Sequence, residues 1–93
     1  MIECRDGRCA VSGPINISNV VTLLGAGRDR FTATVTTVDL AGVTEVDSTA
    51  VSLLLEWRRE AARYGRRIEF LNLPGNLTSL AKLYGVTELL SGR

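Results

Sequence analysis

A β-branched run from Thr34 to Leu40 is followed by the most strongly amphipathic stretch of the chain, Thr49 to Tyr64. A second apolar run, Ile68 to Leu73, comes after it. Strand, helix and strand in that order, with a connection too long for a hairpin, predict a parallel crossover, because antiparallel neighbours are joined by short turns. In the helix, Ala50, Leu53, Leu54, Trp57, Ala61 and Tyr64 fall on one side, and Ser48, Ser52, Glu56, Arg59 and Arg63 on the other. Val51 and Leu55 widen the apolar arc. Glu56 with Arg59 and Glu60 with Arg63 are spaced to pair along the surface, and Gly65 is placed to end the helix in the left-handed conformation.

The remaining elements attach to this unit. Ile2 to Arg5 and Arg8 to Ser12 read as two strands joined at Asp6-Gly7, a strong two-residue hairpin signal, with Gly13-Pro14 closing the second. Ile2, Cys4, Cys9 and Val11 then share the core face. A helix capped by Asn16 or Ser18 follows, with Val20, Val21, Leu24 and Phe31 as its stripe and Gly25 and Gly27 weakening its second half. The central strand is expected to break at Gly42, leaving Gly42 to Asp47 as a loop before the long helix. After Pro74-Gly75, Asn76 caps a short helix carrying Leu77, Leu80, Ala81 and Tyr84, stopped by Gly85. A last turn, Val86 to Leu90, is capped by Thr87. The expectation is an α/β fold in which a mixed four-stranded sheet carries its helices largely on one side. With 93 residues and no linker or repeat, residues 1–93 are expected to form a single domain.

Composition narrows the function. Eleven basic against ten acidic side chains give a net charge of +1. That is no excess for neutralising a phosphate backbone, so nucleic acid is not an expected partner. The chain has no histidine, which removes the commonest general base and metal ligand together. Cys4 and Cys9, with four residues between them in a hairpin, fall short of a zinc set. They would oppose each other across the ladder, close enough for a disulfide, but reduced, half-buried thiols are the expected state. Ser48 has no histidine partner, and Lys82, the only lysine, lies far downstream. Asp39, Glu45 and Asp47 divide between a strand and a helix start, where negative charge is structurally favoured. No catalytic residue, metal or cofactor is therefore expected. With charged residues at the start of the chain no signal peptide is expected, and with no stretch suited to membrane insertion a cytoplasmic protein is expected.

Asp47-Ser48-Thr49 is a helix start in which Ser48 has two readings. As an N-cap its hydroxyl accepts from an orphan backbone N–H. As a phosphoacceptor it would place a dianion at the positive end of the helix, tolerated by the fold and repelling a docked surface.

The motif Val38-Asp39-Leu40-Ala41-Gly42-Val43-Thr44-Glu45-Val46-Asp47-Ser48, followed by Val51-Ser52-Leu53-Leu54-Leu55, resembles that of the STAS domains, whose fold is SpoIIAA-like. The tail Leu80-Ala81-Lys82-Leu83-Tyr84-Gly85-Val86 is similar to that of the MlaB type. The resemblance implies a non-enzymatic cytoplasmic subunit of a phospholipid-transporting ABC complex that maintains outer-membrane lipid asymmetry. Such a subunit binds an MlaF-like ATPase, with the permease in the same complex, and lies peripherally at the inner membrane. Ser48 matches the Ser or Thr that matters in the family. Thr49, where many relatives have a small residue, adds a second candidate hydroxyl. The expected partner surface is Thr44, Glu45 and Asp47 of the loop with Ser48, Thr49, Ser52, Glu56 and Arg59 of the helix. The other function carried by the resemblance is that of an anti-sigma-factor antagonist switched by phosphorylation of Ser48.

Overall fold

The structure is a computed structural model that describes residues 1–90. Eight elements follow in the order β1 (Ile2–Arg5), β2 (Arg8–Ile15), α1 (Val20–Arg30), β3 (Val35–Val46), α2 (Ser48–Arg63), β4 (Arg67–Leu71), α3 (Gly75–Leu83) and α4 (Thr87–Leu90). The strands form one mixed sheet in the spatial order β1-β2-β3-β4. β1 and β2 run antiparallel, while β2 with β3 and β3 with β4 run parallel. The expected fold class and the crossover from β3 through α2 to β4 are present.

Local chemistry fixes several of these elements. Asp6 and Gly7 both take positive φ, +51° and +77°, the backbone that a tight turn needs to match the twist of the strands it joins. At the end of α2 the N–H of Gly65 donates to the carbonyl of Ala62, and that of Arg66 to Ala61. Gly85 and Val86 close α3 on Lys82 and Ala81 in the same way. Both glycines have positive φ, so each helix ends in a Schellman arrangement.

The core lies between one face of the sheet and the helices. Cys9, Val11 and Ile15 of β2, Val38 and Leu40 of β3, and Ile68 and Phe70 of β4 are buried. They meet Leu53, Leu54 and Trp57 of α2, Leu77 and Ala81 of α3, and Leu90 of α4 in one apolar cluster. Alternate residues of the strands, among them Glu3, Arg5, Arg8, Ala10 and Ser12, are exposed. The Glu56–Arg59 and Glu60–Arg63 pairs form at 2.9 and 3.1 Å.

Several boundaries differ from the sequence reading. β3 does not stop at Gly42 but runs to Val46, and β2 runs through Gly13-Pro14 to Ile15. The cause is two irregularities in the parallel ladder. Ala10 pairs with Asp39 but Ser12 with Gly42, and Gly13 pairs with Val43 but Ile15 with Val46, so β3 carries an extra residue each time. A Cβ on Gly42 would lie 3.1 Å from both Ser12 Cβ and the Val11 carbonyl oxygen, so here glycine marks close approach of two strands, not a strand end. Pro14 sits inside the second irregularity, where its missing N–H removes no ladder bond.

Asn19, not Asn16 or Ser18, is the N-cap residue of α1, and Val21 is 78% exposed while Leu23 and Gly27 are buried. Pro74, not Asn76, precedes α3. Tyr64 and Tyr84 leave the apolar stripes assigned to them and are exposed, because each is the C-cap residue where its helix ends. Cys4 and Cys9 are not free thiols. They stand directly opposite in the hairpin register and are joined in a disulfide.

Candidate functional site

The start of α2 is held by Asp47. Its backbone is extended (φ −116°, ψ −174°), and its side chain accepts from the N–H of Thr49 at 2.9 Å, making it the N-cap. The Thr49 hydroxyl donates to the same carboxylate. The other carboxylate oxygen accepts from the N–H of Ile17 at 3.0 Å, in the connection between β2 and α1. The Asp47 N–H in turn donates to the carbonyl of Ile15. One side chain thus joins a helix start, a sheet end and a neighbouring loop.

This settles the capping question of the sequence against Ser48. Ser48 is the first helical residue, exposed, and its hydroxyl has no hydrogen-bond partner among the described residues. Thr49 carries the engaged hydroxyl. Ser48, Thr49 and Ser52 line one wall of a groove of about 330 Å³, with Val51 and Leu55 below and Tyr84 and Val86 opposite. The far wall, from the end of α3 and the turn after it, was not legible as a site: Tyr84 falls at the helical spacing of a core residue. The available signal was its position immediately before Gly85, which turns the chain out of the helix.

Thr44 and Glu45 lie on β3, not in a loop, and form an exposed doublet produced by the second irregularity. The Thr44 carbonyl accepts from the side-chain amide of Asn76 at 3.2 Å, which ties the end of β3 to α3. Glu56 and Arg59 are engaged with each other farther along α2. Of the residues expected to form one surface, Ser48, Thr49 and Ser52 share the groove and Asp47 holds its base. Thr44 and Glu45 flank it, while Glu56 and Arg59 stand one to two turns away.

The carboxyl of Asp47 is held below its ordinary range, chiefly by the Thr49 hydroxyl and then by the N–H groups of Ile17 and Thr49. Asp39 is lowered too, first by the N–H of Ala41 and then by the Asn72 amide, with a smaller contribution from the Arg8 charge. Because each folded value lies below the unfolded one, each carboxylate's contribution is complete above about pH 4 and is lost as pH falls through the lowered folded value. Urea midpoints measured across the acid range should therefore fall towards low pH, and Asp47→Asn should flatten that fall. An unchanged acid limb in the variant would contradict the assignment.

The groove holds hydroxyls and apolar side chains with no histidine or lysine beside Ser48. Among the described residues no group of His, Cys, Asp or Glu is arranged to hold a metal ion. No helix among them is long and apolar enough to cross a membrane.

Comparison with known proteins agrees with the architecture. The family model described as the Mlab STAS domain matches residues 3–91. The unphosphorylated anti-sigma factor antagonist SpoIIAA superposes with a TM-score of 0.77 at 16% identity, over 97% of this chain and 84% of that one. Two crystal structures of Mglu, one in its native form, superpose with TM-scores of 0.62 and 0.60 at 22% and 18% identity. They match over 81% and 74% of this chain and only 20% and 22% of theirs. At these identities the likeness is one of fold. No curated protein sequence matches the chain.

Proposed function

The chain belongs to the MlaB-type STAS domain family, and on that premise we propose that it is a non-enzymatic binding subunit of a phospholipid-transporting ABC complex. It grips the ATPase subunit through the groove at the start of α2. The observation that carries this reading is the pairing of a Ser48 hydroxyl, without a hydrogen-bond partner among the described residues, with an apolar wall across one groove. Tyr84 is 53% exposed, and Leu83 beside it 75%. Contiguous exposed apolar surface rimmed by polar groups is characteristic of interaction sites. The subunit lies on the cytoplasmic side of the inner membrane, held there by the ATPase and permease, and moves no lipid itself.

The test is affinity purification of the tagged full chain from native membranes. Recovery of a nucleotide-binding ABC subunit in constant ratio supports the reading, and repeated recovery without any ATPase counts against it.

A second reading rests on Ser48 itself. A free hydroxyl at the positive end of a helix can accept a phosphate without unfolding its own domain, as an anti-sigma-factor antagonist switched by a kinase requires. Phosphate on Ser48 in cells, together with a soluble kinase among the co-purified proteins, would favour it over the transporter role.

A further inference from the structure

A second groove, of about 400 Å³, opens between the C-terminal half of α2, the start of β4 and α4. Four of the chain's eleven basic residues line it: Arg58 and Arg59 from α2, and Arg66 and Arg67 entering β4. Its remaining lining is apolar, with Leu55, Ala62 and Leu89 among those residues. Leu89 is 42% exposed.

The charges here are only partly cancelled. Arg59 pairs with Glu56 at 2.9 Å and Arg67 with Glu69 at 3.0 Å, while Arg66 lies over the Tyr64 ring at 5.2 Å. Arg58 is exposed and pairs with no carboxylate among the described residues. Even with Glu88 of α4 counted, four guanidiniums face three carboxylates. The chain as a whole is close to neutral, so this is local concentration, not a general basic surface.

We propose that this groove docks an acidic segment of a partner protein that also carries an apolar side chain. Guanidinium groups supply forked donors matched to carboxylates, and the apolar lining between them rewards a leucine-sized group that a free phosphate lacks. A concave site suits an inserted segment better than a planar membrane, which meets flat or convex basic surfaces. The groove shares Leu55 with the one at Ser48, so a partner seated at the mouth of α2 can extend along the helix into it. The inference does not require that partner to be the transporter ATPase.

The test uses the full chain and a fluorescein-labelled peptide with glutamates and leucines at helical spacing, read by anisotropy beside its lysine-for-glutamate counterpart. The acidic peptide should bind saturably and lose affinity as salt rises, and the lysine peptide should not bind. Arg58→Glu, on the exposed side of α2, should weaken binding by roughly tenfold or more. Arg67→Glu on β4 should do the same, and Arg5→Glu, exposed on β1 and lining neither groove, should leave it unchanged. Circular dichroism confirms that each variant is folded. Absence of saturable binding, or binding by both arginine variants as tight as that of the parent protein, overturns the proposal. So does an Arg58-dependent association with phosphatidylglycerol vesicles when the peptide is not bound, or a self-associated form abolished by Arg58→Glu. These would assign the groove to a membrane or to a second copy.

Discussion

Replacing Gly27 by Ala should destabilise the protein by roughly 1–3 kcal/mol, although alanine is the better helix former. Gly27 lies in α1 against α2, and a Cβ added there would stand 2.2 Å from Trp57 Nε1, 2.6 Å from Trp57 Cε2 and 2.8 Å from Phe31 Cε2. Real Cβ contacts are never so short, so a ring must move. Neither ring has room to do so easily: Trp57 is 2% and Phe31 6% exposed, and the two meet edge to face with centroids 4.9 Å apart. Closely packed interiors resist such insertions because neighbours must leave their preferred rotamers.

Gly25, two residues earlier in the same helix, is the internal control. A Cβ there meets nothing within 4 Å, so Gly25→Ala should be neutral or stabilising, by up to about 1 kcal/mol. Trp57→Phe supplies the second arm, since it removes the indole nitrogen that a new methyl would strike. That nitrogen is buried and has no hydrogen-bond partner among the described residues. The double variant Gly27→Ala with Trp57→Phe should lose less than the sum of the two single losses, with a coupling of roughly 0.5–3 kcal/mol. Chemical denaturation of the four proteins measures it. Additive losses, or a stabilised Gly27→Ala, would show that the two helices do not meet as described.

That contact explains part of what the sequence could and could not tell. α2 was legible because its apolar side chains repeat at helical spacing and Gly65 ends it. The hairpin at Asp6-Gly7 was legible because those two residue types accept positive φ. The packed face of α1 was not, because its centre is Gly27: a stripe built around the smallest residue leaves no trace in a count of apolar positions. Val21, at the right spacing, then looked like core and is exposed.

β3 failed for a related reason. Period-two alternation holds from Thr36 to Leu40 and is then broken by the exposed doublets Ala41-Gly42 and Thr44-Glu45. Each doublet coincides with an extra residue in the ladder. From residues alone a broken alternation containing glycine reads as a loop, because the partner strand that absorbs the bulge lies a long way off in sequence. At the site, sequence placed hydroxyls at the mouth of α2 but not their roles. Asp47 and Thr49 satisfy each other, and Ser48 is left without a hydrogen-bond partner among the described residues.

That division of labour makes Ser48 the position where binding and stability should separate. On the transporter reading, Ser48→Glu should weaken association with the ATPase subunit by at least about 100-fold, close to 2.7 kcal/mol. A carboxylate there must be buried against a partner surface fitted to a small hydroxyl, and burying an unpaired charge is costly. The fold should not suffer. α2 has no acidic residue in its first turn, so a glutamate at its first position gains from the helix dipole what it loses to the neighbouring Asp47 carboxylate. Thr49→Val should behave in the opposite sense: it removes the hydroxyl bonded to Asp47 and lowers the melting temperature, while the folded fraction binds nearly as well as the parent. Titration calorimetry with the purified ATPase subunit, beside thermal melts of each variant, reads both effects. If Ser48→Glu binds like the parent protein, or if Thr49→Val is the variant that releases the partner while keeping its stability, the groove at the start of α2 is not where the ATPase sits.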